Sequence, residues 1–330
     1  MILLTYGTRP EWIKIKPLTQ ELKRNGLLFK TLFTGQHENL VDSKADFNLT
    51  INNSGKNRLD NILSSLMNVD DVIFHDITHV LIQGDTTSAL AISIASFHRE
   101  IKIIHLEAGL RTYDFKNPFP EEMNRQMISR IADIHLCPTK LNYNNLIKEK
   151  CSGLKYVVGN TALDNLINTK TSYTNKVLVT IHRRENHEII DVWFKEISKL
   201  ALKNKELEFI LPIHPNPNVQ KHKHLLNGVN IIEPLGHENL IELLSNVKLI
   251  ITDSGGLQEE CSFLNKKIIV CRKKTERPES LKVHSFLCKN PKNLSKIFNT
   301  IHKNYEVNEE CPYGDGNSSK KIVKILKNII

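Results

Sequence analysis

The sequence predicts an α/β protein built from two domains, each with a parallel sheet covered by helices. Three observations support this: short apolar runs alternate with amphipathic stretches, the alternation restarts after an interruption, and polar residues follow many of the apolar runs. A chain of 330 residues is long for one ordinary α/β domain and comfortable for two.

In the first half, the apolar runs predict strands at residues 2–6, 30–34, 79–83, 101–106, 134–137 and 156–158. The amphipathic stretches between them predict helices that include residues 13–24, 88–99, 122–131 and 141–148. Strands and helices therefore alternate along the chain, as they do in proteins that build a parallel sheet from strand–helix units.

The second half repeats this rhythm without repeating the sequence. Strands are predicted at residues 176–180, 208–213, 230–232, 248–252 and 267–271, and helices at 192–201, 240–245 and 257–263. The polar segment 169–175 lacks periodicity and suits a linker. We therefore expect a first domain over residues 1–168, a second over 169–312, and an amphipathic helix within the terminal segment 313–330.

Composition limits the classes of partner. The net charge of +9 and the pI of about 9.1 suit a polyanion, either nucleic acid or a diphosphate ligand, but the lysines form no basic stripe with interleaved aromatics, so we expect no nucleic-acid binding. No apolar run is long enough to cross a membrane, and the N-terminus looks like a strand rather than a signal peptide, which favours the cytoplasm.

The six cysteines form no CxxC pair, so we expect reduced thiols and no metal.

Polar clusters follow five of the predicted strands. They are residues 7–11, 84–87, 107–111, 182–186 and 253–256. Because ligands of open parallel sheets bind at the carboxyl ends of the strands, these clusters predict a cleft between two facing domains.

Asp85, Glu107 and Glu121 are the candidates for acid–base chemistry. Two of them come directly after buried strands, where desolvation raises the pKa of a carboxyl group. Each of them alone could equally be a helix cap or an ion-pair residue.

The sequence Asp253-Ser254-Gly255-Gly256 precedes a predicted helix and forms a candidate anion cradle, because the free N–H groups of a helix N-terminus attract phosphate. The alternative is an ordinary turn in which Ser254 caps the helix. The cations available to a diphosphate are Arg9, His182, Arg183, Arg184 and Arg277. His105, inside an apolar strand, is expected to be a core histidine with its hydrogen bonds satisfied.

Ordered blocks along the chain resemble the non-hydrolysing UDP-N-acetylglucosamine 2-epimerase family. They include GTRPEWIKIKPL, QGDTTSAL, HLEAGLRT, PFPEEMNRQ, VVGNTALD, HRREN, IHPNPNV, TDSGGLQEE and TERPE. The resemblance implies two Rossmann-like domains facing across a cleft, as in GT-B glycosyltransferases, with the segment 313–330 crossing back to the first domain.

The resemblance also implies an activity. Family members interconvert UDP-GlcNAc and UDP-ManNAc without cofactor or metal, by eliminating UDP to a 2-acetamidoglucal and adding it back. It further implies a cytoplasmic homodimer that serves polysaccharide biosynthesis.

Site residues carry over by motif position. Asp85, Glu107, Glu121 and His182 match catalytic positions of the family, and Arg9, Lys14, Ser254, Gly255, Gly256, Glu260 and Arg277 match substrate-binding positions, with Glu260 on the uridine ribose. Gln36 and His37 match an allosteric site for a second UDP-sugar. The segment between Gln36 and Gly84 is shorter than is usual in the family, which puts that site in doubt.

The sequence leaves other interpretations of the function open. The substrate could be a UDP-2-acetamido-2,6-dideoxy sugar such as UDP-N-acetyl-L-rhamnosamine. A hydrolysing epimerase, a GT-B glycosyltransferase and a non-enzymatic sugar-nucleotide sensor are further alternatives, the last two disfavoured by the three carboxylates.

Overall fold

The computed structural model describes residues 1–36, 44–52 and 55–330, which divide into two compact units. The first unit comprises Met1–Asn165 and Gly314–Ile330, and the second comprises Leu166–Tyr313. The sequence placed these boundaries after residues 168 and 312. The chain thus begins and ends in the first unit.

The first unit contains a parallel sheet flanked by helices. Its strands are β1 (Ile2–Tyr6), β2 (Phe29–Phe33), β3 (Phe47–Asn48), β4 (His79–Gln83), β5 (Lys102–Leu106), β6 (Ile134–Cys137) and β7 (Leu154–Val157). Its α-helices are α1 (Arg9–Arg24), α2 (Arg58–Met67), α3 (Thr87–Phe97), α4 (Glu121–Ile131), α5 (Lys140–Lys148) and α11 (Ser318–Leu326). The strand order is β3-β2-β1-β4-β5-β6-β7, and every pairing is parallel.

The second unit repeats the architecture. Its strands are β8 (Lys176–Thr180), β9 (Glu208–Pro212), β10 (Val229–Ile232), β11 (Leu249–Thr252), β12 (Ile268–Val270) and β13 (Ser285–Leu287). Its α-helices are α6 (Ile190–Lys203), α7 (Pro217–Gln220), α8 (His237–Ser245), α9 (Gly256–Phe263) and α10 (Leu294–Ile301). The strand order is β10-β9-β8-β11-β12-β13, again parallel throughout. The predicted α/β class with two parallel sheets is confirmed.

Both faces of the first sheet are buried, as the continuous apolar strands predict. Leu3 and Val80 pack on one face in a core that includes α2 and α3. Leu4 and Leu81 pack on the other face, in a core shared with α1 and α11. The strand period of two sends neighbouring residues to opposite cores.

The terminal helix α11 is part of the first unit. Its first backbone N–H groups, those of Ser318 and Ser319, donate to the two carboxylate oxygens of Asp164 (2.9 and 2.7 Å). Its apolar face, including Ile322, is buried against α1. A carboxylate at a helix N-terminus satisfies free donors and complements the helix dipole.

The predicted elements omit β3, β13, α2, α7 and α10. The strands β3 and β13 contain two and three residues and lie at sheet edges, so they carry too few side chains for a periodic pattern. The three helices have ten, four and eight residues, so each offers fewer than three turns of helical periodicity.

The segment predicted as a linker, 169–175, has fixed partners in the second unit. The Ser172 N–H donates to the Ser245 carbonyl (3.0 Å), and the Tyr173 hydroxyl donates to the Asn265 carbonyl (2.6 Å). The ammonium of Lys266 donates to the carbonyls of Ser172 and Val247, and burial lowers the pKa of Lys266 to about 8. These contacts make the segment an ordered part of the second unit.

All six cysteines lie in the described residues and are free thiols, five of them buried. Among the described residues no helix has the length and apolar character needed to cross a membrane. The same residues contain no cluster of three or more His, Cys, Asp or Glu side chains placed to hold a metal ion.

Two neighbouring histidines are buried in the first sheet. His105 on β5 and His135 on β6 are register partners, and their Nε2 atoms donate to the carbonyls of Gly84 (2.8 Å) and Ser152 (2.9 Å). In the described part of the chain neither Nδ1 has a hydrogen-bond partner, so the expectation of a satisfied His105 holds for one ring nitrogen only. Burial lowers the pKa of His105 to about 3 and that of His135 to about 4.

The low pKa values of these two buried histidines predict that the folded protein becomes less stable as the pH falls. Because both folded pKa values lie below the ordinary 6.5, the unfolded chain binds more protons between about pH 4 and 6.5. The free energy of unfolding should therefore fall as the pH decreases through that window, by up to about 1.4 kcal/mol per pH unit per histidine. His105→Gln, which keeps a donor for Gly84, should reduce this slope in urea titrations. The exposed His224→Gln is the control, and equal slopes in both variants would contradict the prediction.

Candidate active site

A buried carboxylate organises the first turn of the first unit. The Thr8-Arg9-Pro10-Glu11 sequence forms a capping box, in which Glu11 accepts the N–H groups of Gly7 (2.8 Å) and Thr8 (2.7 Å). Its other oxygen accepts the Thr86 hydroxyl from the turn after β4 (2.7 Å). Burial raises the pKa of Glu11, against the opposing effect of these hydrogen bonds. Glu11 thereby joins the turns after β1 and β4.

Glu107 follows β5 and is held by two donors on one oxygen. Lys14 Nζ on α1 lies 2.5 Å from Glu107 Oε2, and Gln83 Nε2 at the end of β4 lies 2.6 Å from the same atom. Glu107 is 8% exposed, and its φ of +68° lies in the left-handed region that non-glycine residues seldom adopt. Such strain persists where the surroundings fix the residue, and it is common at functional sites. The structure thus brings Lys14 and Glu107 together.

Asp85 is anchored to the helix that begins with Glu121. Arg125 Nη2 lies 2.5 Å from Asp85 Oδ2, and Asn124 Nδ2 donates to the Asp85 carbonyl (2.9 Å). Glu121 stands one helical turn before Arg125, so the two share a face of α4. A Cβ on Gly84 would lie 3.6 Å from Glu107 Oε2, which places the Asp85 turn beside Glu107.

Glu122 has a different environment from its neighbour Glu121. It is fully buried, and its carboxylate accepts hydrogen bonds from the N–H groups of Thr112 (2.9 Å) and Tyr113 (3.0 Å). It accepts a third from Arg125 Nη1 (3.2 Å). This carboxylate fixes the start of α4, and with it the position of Glu121.

Of the other predicted residues in the first unit, Arg9 is the exposed first residue of α1. Gln36 Oε1 accepts the Ser88 N–H (3.2 Å), and its carbonyl accepts Arg58 Nη2 (3.0 Å). His37 lies outside the described residues.

Asp253 organises the corresponding turn of the second unit. It is fully buried and accepts the N–H groups of His182 (3.0 Å) and Arg183 (2.8 Å) and the amide of Asn186 (2.9 Å). The imidazole of His182 stacks on that of His214 with centroids 4.9 Å apart. Burial lowers the pKa of His182, although the Asp253 charge opposes this effect.

Helix α9 begins with an open N-terminus. Gly255 is its N-cap, and no side chain in the described residues caps it, so the alternative of a Ser254 cap is wrong. The Ser254 N–H instead donates to Thr252 Oγ1 (2.9 Å). A Cβ on Gly256 would meet nothing within 4 Å, so that backbone is open to close approach. The N–H groups that start α9 are thus available to an anion.

Two further predicted residues of the second unit, Glu260 and Arg277, are paired with other charged side chains. Glu260 Oε1 lies 3.0 Å from His237 Nε2. The Arg277 guanidinium contacts Glu259 Oε1 (3.0 Å) and Glu276 Oε1. The sequence predicts that Arg277 presents a cation to a diphosphate, whereas in the structure its guanidinium contacts two carboxylates.

Sequence reasoning missed several residues that fix these sites, including Glu11, Gln83, Arg125 and Glu276. Two of them carried a local signature: Thr-x-x-Glu marks a capping box, and Arg125 stands four residues after Glu121 on one helix. Gln83 acts through Glu107, a partner that only the folded chain brings near, whereas Glu276 contacts its sequence neighbours Arg272 and Arg277 in a loop without a periodic pattern.

The fold and these sites define a class of protein. Carboxylate side chains lie at the carboxyl ends of one parallel sheet, and an uncapped helix N-terminus lies at the corresponding end of another, which is the arrangement of an α/β enzyme acting on an anionic ligand.

Comparison with known proteins identifies the family. The model of the family described as UDP-N-acetylglucosamine 2-epimerase matches residues 20–327. The chain is 38% identical to the UDP-N-acetylglucosamine 2-epimerase of Campylobacter jejuni, over 98% of this chain and 97% of that one. It is similar to the structure of the Neisseria meningitidis UDP-GlcNAc 2-epimerase bound to UDP-GlcNAc, with a TM-score of 0.88, 34% identity and 99% of both chains covered. The chain belongs to the UDP-N-acetylglucosamine 2-epimerase family.

A more distant likeness concerns the fold alone. The structure of Acinetobacter baumannii MurG matches with a TM-score of 0.65 at 12% identity over 99% of each chain.

Proposed function

We propose that this protein is a non-hydrolysing epimerase that inverts C2 of a UDP-2-acetamido sugar, with UDP-GlcNAc and UDP-ManNAc as the default pair. The observation that carries the proposal is the buried, strained Glu107, held by Lys14 and Gln83 beside the Asp85 turn, in a chain of this family. Proton transfer needs a positioned carboxyl group, and this arrangement provides one.

The proposed reaction has two halves. A base removes the C2 proton, the C1–O bond to UDP breaks with its electron pair leaving on the phosphate, and a 2-acetamidoglucal forms. An acid then protonates C2 on the opposite face while UDP adds back to C1. Asp85, Glu107 and Glu121 are the candidates for the acid and the base, with His182 as a further catalytic group.

We assign UDP binding to the second unit. The open start of α9, with Ser254, Gly255 and Gly256, suits the diphosphate, and the Glu260 carboxylate suits the ribose hydroxyls. Arg9, exposed in the first unit, stays a predicted substrate-binding residue. The proposal needs no cofactor or metal, and it keeps the cytoplasmic location and the two facing Rossmann-like domains as sequence-based predictions.

The decisive experiment is turnover in D2O without an acceptor, followed by NMR with a panel of UDP-2-acetamido sugars that includes UDP-N-acetyl-L-rhamnosamine. Epimerisation through elimination should place deuterium at C2 of the product, because the abstracted proton exchanges with solvent. Accumulation of free ManNAc and UDP would instead indicate a hydrolysing enzyme. The absence of turnover without an acceptor would favour a glycosyltransferase. Product that retains its C2 proton would contradict solvent-exchanging elimination.

The carboxylates are tested by Glu107→Gln and Glu121→Gln, which keep shape and lose acid–base cycling. General acid–base groups contribute about 10²–10⁴-fold, so at least one variant should lose two or more orders of magnitude in kcat while binding UDP as tightly as the wild type. Glu149→Gln is the matched control, because it breaks a buried ion pair with Arg111 elsewhere in the first unit. That control should lower Tm and spare kcat. Near-wild-type kcat in both test variants would exclude these residues as acid and base.

We further propose that the protein is a homodimer that associates through the outer face of α4. Met123 and Met127 stand one turn apart and are 37% and 45% exposed, and Phe119 is exposed just before the helix. Contiguous exposed apolar side chains are typical of interaction sites, and most soluble homo-oligomers are twofold dimers.

Met127→Glu should convert the dimer to a monomer in light scattering. A twofold interface contains the substituted residue of both copies, so two new carboxylates would be buried in it. Leu28→Glu, at another exposed apolar residue of the first unit, is the control and should leave the mass unchanged. A wild-type monomer, or a dimer that resists Met127→Glu, would contradict this interface.

A further inference from the structure

Five charged side chains of the second unit form a continuous chain of ion pairs. Arg272 Nε lies 2.6 Å from Glu185 Oε1, and Arg272 Nη1 lies 2.9 Å from Glu276 Oε2. The other oxygen of Glu276 contacts Arg277 Nη1, and Arg277 Nε lies 3.0 Å from Glu259 Oε1. Glu276 is therefore the link between the two guanidinium groups.

This ion-pair chain connects three turns at the carboxyl ends of strands. Glu185 belongs to the turn after β8, the segment from Arg272 to Arg277 follows β12, and Glu259 lies in the first turn of α9. A Cβ on Gly255 would lie 2.8 Å from Arg277 Nη1 and 2.9 Å from Glu276 Oε1. The central pair thus packs directly against the N-cap of α9.

The backbone of the same segment is held separately by Tyr313. Its buried hydroxyl donates to the Arg277 carbonyl (3.0 Å) and accepts the Ser280 N–H (3.3 Å). Side chain and backbone of Arg277 are consequently both fixed.

Stability alone is a weak reason for such a network. Desolvating buried charges costs about as much as their attraction returns, and apolar replacements of buried ion pairs are often as stable. What this ion-pair chain provides is a defined geometry, because the contacts Arg272–Glu185, Arg272–Glu276 and Arg277–Glu276 are hydrogen bonds with a preferred direction. Here the ion-pair chain fixes the geometry of the open N-terminus of α9.

We propose that Glu276 is a positioning residue for phosphate recognition: the chain Glu185–Arg272–Glu276–Arg277–Glu259 sets the N-terminal turn of α9 so that its N–H groups meet a diphosphate. The Arg277 guanidinium is held at this turn by Glu259 and Glu276. This inference rests on the proposed function, which places UDP at that turn.

The test compares two ligands that differ by the diphosphate. Glu276→Gln removes the charge of the central link and nearly preserves its shape. Its affinity for UDP should fall about tenfold or more, the effect of weakening one charge-assisted contact, while its affinity for uridine stays within about twofold of wild type. Glu196→Gln, which breaks the Glu196–Lys199 pair on α6, is the matched control and should leave both affinities unchanged.

A second variant covers the case in which Glu276→Gln fails to fold. Tyr313→Phe deletes only the hydroxyl that donates to the Arg277 carbonyl, and this variant should also weaken UDP binding more than uridine binding. Tyr173→Phe is its control, because that hydroxyl likewise donates to a backbone carbonyl of the second unit, at Asn265.

The outcomes are distinguishable. Unchanged UDP affinity in folded Glu276→Gln and Tyr313→Phe overturns the positioning role. Equal losses for UDP and uridine overturn it too, since they indicate general loosening of the unit. A wild-type protein that binds neither UDP nor uridine contradicts the proposed function itself, and the inference with it.

Discussion

Turns at the carboxyl ends of parallel strands leave backbone N–H groups without strand partners, and in each unit a buried carboxylate accepts them. Glu11 accepts those of Gly7 and Thr8, and Asp253 accepts those of His182 and the residue after it. Burying a carboxyl group is costly unless its hydrogen-bond donors stay in place, so neither turn can relax without leaving buried polar atoms unsatisfied. The side chains that leave these turns therefore start from fixed backbone positions.

The same constraint explains why the site residues come as pairs. Glu107 is buried together with Lys14, and Asp85 contacts Arg125, which also contacts the buried Glu122. In each pair the cation balances a carboxylate in a setting with little water, where geometry is set by charge-assisted hydrogen bonds. Groups held in this way need no reorganisation when charge shifts during a reaction, and this preorganisation is a large component of catalysis.

The sequence predicted the parts of the fold that depend on local pattern. Buried central strands such as β1 and β4 are continuous apolar runs, and amphipathic helices such as α4 show their period, so both were found within a few residues. Edge strand β3 has two residues and no pattern to read. Candidate site positions were predicted by motif, whereas their partners were not. The role of Gln83 depends on strand register that brings it to Glu107, and Glu276 lies in a loop that has no periodic pattern.

Charge compensation within the sites has a consequence for how an anion is bound. Lys14, Arg125 and Arg277 all contact carboxylates, so these three cations contribute little net positive potential to a ligand. The formal charge of the whole chain is nevertheless +9, and an excess of that sign raises the local concentration of anions around the protein. In the proposed binding of UDP, long-range attraction and short-range recognition are separate: the surface charge favours encounter, and the open N–H groups of α9 would supply directed donors for the phosphate. Because backbone donors are fixed by the fold, that proposal makes the orientation of the α9 terminus, rather than a count of basic residues, the determinant of diphosphate affinity.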